Sequence, residues 1–192
     1  MKSLIGFLIV FSGLTTLSTS AEQWQLKLNP DATIVTFKLD ATLHTVEGTF
    51  ALDSGEVRFE PKSRQASGMI IVDAQSGQTG VGRRDMKMHS SVLESELYPV
   101  VTFRPERVLG EIRITGESSV LVRGTLTMHG EEHTVTMPVT TEIEGTRVLV
   151  NASLAIPYVQ WGLADPSRWY VRVAKEVFLL IEAEGTIAEI TP

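Results

Sequence analysis

Cysteine is absent from all 192 residues. That excludes disulfide staples, a thiolate nucleophile and a lipid-modified cysteine, so the fold must be stabilised by packing. Positive charge is also short: 17 Lys and Arg face 23 Asp and Glu, a formal net charge of −6. Nucleic-acid binders carry a basic footprint that this balance lacks, so nucleic acid is not an expected partner. Histidine is limited to His44, His89, His129 and His133. His129 and His133 bracket Gly130-Glu131-Glu132 in a hairpin pattern, without the helical i, i+4 geometry of an HExxH site, and no metal is expected. No Gly-x-Ser-x-Gly elbow accompanies Ser90, Ser91 or Ser167, so no catalytic residue can be named and enzymatic activity is not expected.

Long apolar runs are missing as well, apart from residues 4–14 behind Lys2. This run is shorter than the roughly 20 apolar residues needed to cross a bilayer. It is followed by Thr19-Ser20-Ala21, small residues at signal-peptidase spacing. Residues 1–21 are therefore expected to be a cleaved signal peptide, leaving residues 22–192 as a single domain whose charge, once Lys2 is gone, moves from −6 to −7. No repeat, low-complexity tract or linker interrupts that domain.

What is present is alternation. In Thr33-Ile34-Val35-Thr36-Phe37-Lys38-Leu39, the residues Val35, Phe37 and Leu39 share one face at period two, the spacing of a half-buried strand. Similar segments occur at 45–52, 55–60, 67–74, 100–108, 112–115, 119–128, 133–144, 147–156 and 177–187, separated by turn signals such as Asp53-Ser54-Gly55 and Glu144-Gly145-Thr146. So many consecutive strands predict an all-β, antiparallel protein, and their length favours a closed barrel of about eight strands over a sandwich. Such an interior is either filled by side chains or able to hold one small ligand, and alternation alone leaves both open.

One passage breaks the pattern. Between Arg83 and Phe103, Met86, Ser90, Leu93 and Leu97 are spaced by four, three and four, which predicts two short helical turns around 85–97 with an apolar stripe. Asp85 is expected to cap the first turn, Ser91 with Glu94 reads as a capping box for the second, and Pro99 ends the segment. Arg83, Arg84 and Lys87 make this the clearest basic cluster of an acidic chain.

The run Arg84-Asp85-Met86-Lys87-Met88-His89, then Val92-Leu93-Glu94, Tyr98-Pro99 and Thr102-Phe103, resembles the YceI-like polyisoprenoid-binding family. The stretches His44-Thr45-Val46-Glu47-Gly48-Thr49-Phe50, Gly124-Thr125-Leu126-Thr127-Met128-His129-Gly130 with His133, and Trp161-Gly162-Leu163-Ala164-Asp165-Pro166-Ser167 before Arg172-Val173 agree with it in order. The resemblance implies a lipocalin-like barrel, exported to the bacterial periplasm, with an elongated apolar cavity for an isoprenoid lipid, quinone or similar amphiphile and with transient membrane contact. No cofactor beyond such a bound lipid is implied, and protein partners are left unassigned.

The implied cavity is assigned to Val35, Phe37, Leu39, Phe50, Ile70, Met86, Met88, Leu93, Phe103, Leu126, Met128, Trp161 and Phe178. Methionine suits such a lining because it is flexible and polarizable. Arg83, Arg84, Lys87 and His89 are the head-group candidates, since guanidinium groups bind phosphate oxygens in bidentate fashion. Some members have His where this chain has Lys87, and here His89 comes two residues later. Two other readings remain: a solidly packed barrel acting as a stress-related protein-interaction module, and a metalloprotein or hydrolase. Intact mass of the protein from the envelope fraction is expected to show a chain beginning at Glu22; a species retaining residues 1–21 would refute the signal-peptide assignment.

Overall fold

In the computed structural model, residues 22–190 are described; the expected signal peptide at 1–21 lies outside them. Alternation produces nine antiparallel strands among the described residues: β1 Gln23–Leu28, β2 Ile34–Asp40, β3 Thr45–Phe59, β4 Ala66–Gln78, β5 Val100–Leu109, β6 Gly116–Met128, β7 Glu131–Glu144, β8 Arg147–Ile156 and β9 Val177–Ile190. In β7 the buried Val135, Met137, Thr141 and Ile143 alternate with the exposed Thr136, Pro138, Thr140 and Glu142. This is the pleat expected of a sheet with one face packed and one solvated.

The nine strands make eight staves. β1 pairs with residues 56–59 of β3 and 185–190 of β9, while β2 pairs with 45–51 of β3 and 178–182 of β9. The two are therefore consecutive halves of one stave, inserted between β3 and β9. Pro30, which has no N–H for a ladder, breaks the stave at a 3-10 turn, Pro30–Ala32. The Asn29 carboxamide caps that turn by accepting the Asp31 N–H at 3.1 Å. All other neighbours are consecutive, and the β3–β4 ladder together with the split stave closes the ring. The predicted all-β barrel of about eight strands is the fold observed.

The differences from the sequence reading are local. Residues 45–52 and 55–60 are one strand, because Asp53-Ser54-Gly55 forms a register shift between Leu52 and Ser54 instead of a turn. A bulge of this kind bends a long strand without ending it. Residues 112–115 form no strand; Ile112 packs into the barrel end instead. β1 went unread because its alternation is short and is cut off by Asn29-Pro30-Asp31.

The two barrel ends differ. Residues 60–65, 110–115 and 145–146 connect the staves at the lower end, which is filled by Phe59, Ile143, Val148 and Ile187, with Trp24, Leu26 and Ile112 against them. At the upper end run 41–44, 79–99, 129–130 and 157–176, two of them long. The tight turn at 129–130 has positive φ at His129 (54°) and Gly130 (80°), the primed geometry that suits strand twist. Gly48 is needed for close approach: a Cβ there would sit 2.4 Å from the Gln78 carbonyl oxygen and 2.5 Å from the Phe37 ring. Gly48→Ala is expected to destabilise the fold by about 1–3 kcal/mol through overpacking, measured as a shift of the urea midpoint; an unchanged midpoint would contradict this packing.

Candidate functional site: an apolar cavity with a cationic mouth

The inward faces of the eight staves do not fill the barrel; they enclose a cavity of about 560 Å³ that reaches down to Phe59 and Ile112. That volume lies within the range of small-molecule sites. Val35, Phe37, Leu39, Phe50, Ile70, Met88, Leu93, Phe103, Leu126 and Met128, all expected there, line it. Phe37 and Phe50 form a tilted aromatic pair with centroids 5.3 Å apart. Val122, Met137, Val139, Ile181 and Ala183 complete the wall; their signal was the period-two alternation of β6, β7 and β9.

The upper end is covered by helix α1, Gly82–Lys87, followed by a π-helical turn, Met88–Leu93. The helical passage was expected, but its phase was not. Met88, Val92 and Leu93 of the π turn face the cavity, while Met86 before it and Leu97 after it are 68% and 72% exposed. Met86 is thus removed from the lining. The expected caps are replaced too. The Asp85 carboxylate accepts the Thr79 backbone N–H at 2.9 Å and the Thr79 hydroxyl, and caps no helix. Ser91 meets Ser90, and Glu94, in a left-handed conformation with φ 47°, reaches His129 Nε2 at 2.7 Å. That pair, with Tyr98 packed on the His129 ring at 4.3 Å, ties the cover to the β6–β7 turn.

Trp161 and Phe178 are also corrected. Trp161 stacks on His133, with centroids 3.9 Å apart and planes 3° apart, outside the cavity wall. Phe178 falls on the outward parity of β9 and is 53% exposed, whereas Val177 and Leu179 face in. The strand was placed correctly, but its inward register was not.

Of the four head-group candidates, Arg84 and Lys87 line the cavity mouth. Arg84 Nε donates to Thr79 Oγ1 at 2.8 Å and its Nη2 to the Thr79 carbonyl at 3.2 Å. Lys87 Nζ donates to the Pro166 carbonyl at 2.9 Å, leaving its other N–H groups unassigned. Arg83 is exposed and does not line the cavity. His89 is displaced from that role because both ring nitrogens are occupied, Nε2 by the Gly77 carbonyl at 2.8 Å and Nδ1 by Ser95 Oγ at 2.9 Å. A carbonyl only accepts, so in the neutral ring Nε2 carries the proton and Nδ1 accepts from the serine.

His44 is the remaining basic residue of the lining, which contains no carboxylate. Tyr158, buried where the 157–163 segment tucks into the barrel top, donates its hydroxyl to the Ala174 carbonyl at 2.8 Å. Burial, and secondarily the nearby Asp165 charge, push its pKa up to about 12. It therefore stays a neutral donor at any physiological pH. Deeper in the cavity, the buried Thr141 hydroxyl has no hydrogen-bond partner. The arrangement is a greasy bore with donors at its mouth and one unsatisfied hydroxyl on its wall. It supplies binding surface, and the hydrogen-bonded His89–Ser95 pair is not part of its lining.

Fold and cavity define the class: an eight-stave antiparallel barrel with an apolar interior, closed by packing at one end and covered by a short helix at the other. The YceI-like domain profile matches residues 26–185, and the chain belongs to that family. Among solved structures it is similar to Burkholderia cenocepacia BcnA, with 20% identity and a TM-score of 0.67 over 82% of this chain and 98% of that one. A polyisoprenoid-binding domain from Saccharophagus degradans, implicated in plant cell wall breakdown, aligns with 17% identity and a TM-score of 0.66 over 85% of this chain and 98% of that one. The Campylobacter jejuni YceI protein aligns with 16% identity and a TM-score of 0.51 over 99% of this chain and 94% of that one. No curated protein sequence matches the chain.

The methionine at the top of the bore offers a direct test of the open cavity. A Cβ on Gly77 would lie 2.9 Å from Met88 Cε and 2.4 Å from Phe50, so the Met88 methyl and the Phe50 ring meet over this glycine. Met88→Trp is expected to reduce uptake of a fluorescent polyene fatty acid by about tenfold while leaving the melting temperature nearly unchanged, since the indole takes free volume. In a filled core the same change costs about 1–3 kcal/mol, and a large drop in melting temperature would contradict an open bore.

Proposed function

We propose that this protein is a periplasmic, non-enzymatic carrier of an isoprenoid lipid, such as a prenyl quinone or prenyl phosphate, with the chain held in the barrel. The observation that carries the reading is the continuous apolar cavity of about 560 Å³ whose only charged or titratable basic lining groups, His44, Arg84 and Lys87, are gathered at the mouth. An amphiphile fits this division between tail and head. The polyisoprenoid-binding domain of Saccharophagus degradans supports the reading through its shared fold. Residues 1–21, read as a signal peptide, are the support for a periplasmic location.

The energetics suit transport. Removing one five-carbon isoprene unit from water stabilises a complex by about 3–4 kcal/mol, so a few units suffice for tight binding. A bilayer offers the tail almost the same environment, which keeps exchange between membrane and barrel close to balanced. Loading and release then need no energy source.

Organic extraction of protein freshly purified from the envelope, followed by mass spectrometry, is expected to yield a prenyl lipid in near-equimolar amount. Protein that carries no lipid and takes none from vesicles would overturn the carrier reading. The head group is tested with Arg84→Ala, which is expected to weaken a prenyl pyrophosphate by about ten- to a hundredfold, the value of a charge-assisted hydrogen bond of roughly 1.5–3 kcal/mol. A prenyl quinone of equal tail length should be little affected. A thermal melt must accompany it, because Arg84 also anchors Thr79. Equal loss for both ligands with an unchanged melt would remove Arg84 from head-group recognition.

A further inference from the structure

The most exposed large hydrophobic residues of the described chain are Trp169 (91%), Leu43 (78%), Leu97 (72%), Met86 (68%) and Tyr170 (59%), and all five lie in the upper connections. The lower turns contain no residue of this kind. Four of them border the cavity mouth in sequence and in space: Leu43 precedes the lining residue His44, Met86 precedes Lys87, and Trp169 and Tyr170 precede Val171. Trp169 and Tyr170 form the tip of a tight turn in which Arg168 N–H donates to the Val171 carbonyl at 2.8 Å and Val171 N–H returns to Arg168 at 3.2 Å. Their rings meet edge to face at 5.2 Å.

Hydrogen bonds to backbone carbonyls join these segments into one rim. Thr42 N–H donates to the Arg172 carbonyl at 2.9 Å, Ala174 N–H to the Asp40 carbonyl at 2.8 Å, and Lys87 Nζ to the Pro166 carbonyl at 2.9 Å. The rim's charge is opposite to that of the chain. The upper connections 79–99 and 157–176 carry Arg83, Arg84, Lys87, Arg168, Arg172 and Lys175 against Asp85, Glu94, Glu96, Asp165 and Glu176, a small positive excess in a protein of net charge −6. Three of those carboxylates are engaged locally, Asp85 by Thr79, Glu94 by His129 and Asp165 by the Ser167 N–H. Arg83, Arg168, Arg172 and Lys175 are exposed.

We propose that this rim docks the barrel, mouth down, on an anionic bilayer. Leu43, Met86, Trp169 and Tyr170 enter the head-group region, and Arg83, Arg168, Arg172 and Lys175 lie against lipid phosphates. Aromatic side chains with one wet edge favour the membrane interface, and basic residues near its surface are attracted to anionic lipid. The proposal rests on the carrier reading for its purpose, because a docked mouth lets a lipid tail pass between bilayer and bore without crossing water.

The test is cosedimentation of the envelope-purified protein with vesicles of phosphatidylcholine alone and with admixed phosphatidylglycerol, at low and high salt. Association with the anionic vesicles that weakens in salt is expected, together with quenching of tryptophan fluorescence by lipids brominated near the head group. Trp169→Ser with Tyr170→Ser should lower vesicle partitioning by about tenfold or more, as should Arg168→Gln with Arg172→Gln, while both double variants keep polyene fatty acid uptake in solution. Absence of vesicle binding, or binding indifferent to these changes, overturns the proposal; retained uptake in that case leaves the carrier reading standing. Vesicle binding without uptake would instead overturn the carrier reading and uphold the docking surface. Self-association of the free protein that the Trp169 and Tyr170 changes abolish would assign the rim to a second copy, against this proposal.

Discussion

Closure of the sheet on itself is the constraint from which the rest of this molecule follows. β9 and β3 would each present an open edge were it not for the split stave of β1 and β2, which pairs with 45–51 and 56–59 of β3 and with 178–182 and 185–190 of β9. Open edges expose unpaired backbone groups and invite aggregation, and ring closure removes them. Because the ladder satisfies the backbone by itself, the interior need not be filled for the fold to hold. A cavity of about 560 Å³ can persist above a packed floor of Phe59, Ile143, Val148 and Ile187. An edge-stabilised sandwich, which depends on contact between two sheets, would have no such freedom.

The cover over that cavity is built differently from the wall. α1 and the π turn contain no buried residue, and they are held by polar bonds: Asp85 and Arg84 to Thr79, His89 to Gly77 and Ser95, Glu94 to His129. Segments with few buried apolar contacts are drawn from the low-stability end of a fold. The barrel wall and its cover thus differ in how they are held, the wall by its ladder of backbone hydrogen bonds and the cover by side-chain bonds. Met88, Val92 and Leu93 are the apolar residues the cover contributes to the bore.

Electrostatics is similarly divided. The salt bridges Lys38–Glu47, Arg58–Glu56, Arg104–Glu132 and Arg147–Glu184 decorate the outer surface. Pairs of this exposure contribute little to stability. Arg84 and Lys87 instead form bonds with neutral partners at the mouth, which leaves their charge uncompensated by a direct carboxylate contact. That distinction places positive charge at the mouth, although the chain as a whole is acidic.

Alternation alone determined much of this protein. Val35, Phe37 and Leu39, like Leu126 and Met128, had to face one way because a strand's side chains alternate sides, and the number of such strands pointed to a barrel. The run from Arg84 to Phe103 and its companions was specific enough to reveal the family. What the sequence left undecided were matters of phase and pairing. Phe178 was placed on the wrong face because Val177-Phe178-Leu179-Leu180 is apolar at both parities, and only the pairing with β2 and β8 selects Val177 and Leu179 as inward. Met86 was lost from the lining because α1, Gly82–Lys87, lies over the mouth with Arg84 and Lys87 toward the cavity, which leaves Met86 exposed. Trp161 joined His133, and His89 spent both nitrogens, through neighbours that no local pattern reveals. Local periodicity is a property of a few adjacent residues and can be read from them; register, cavity and rim arise where distant segments meet, and those contacts exist only in the folded chain.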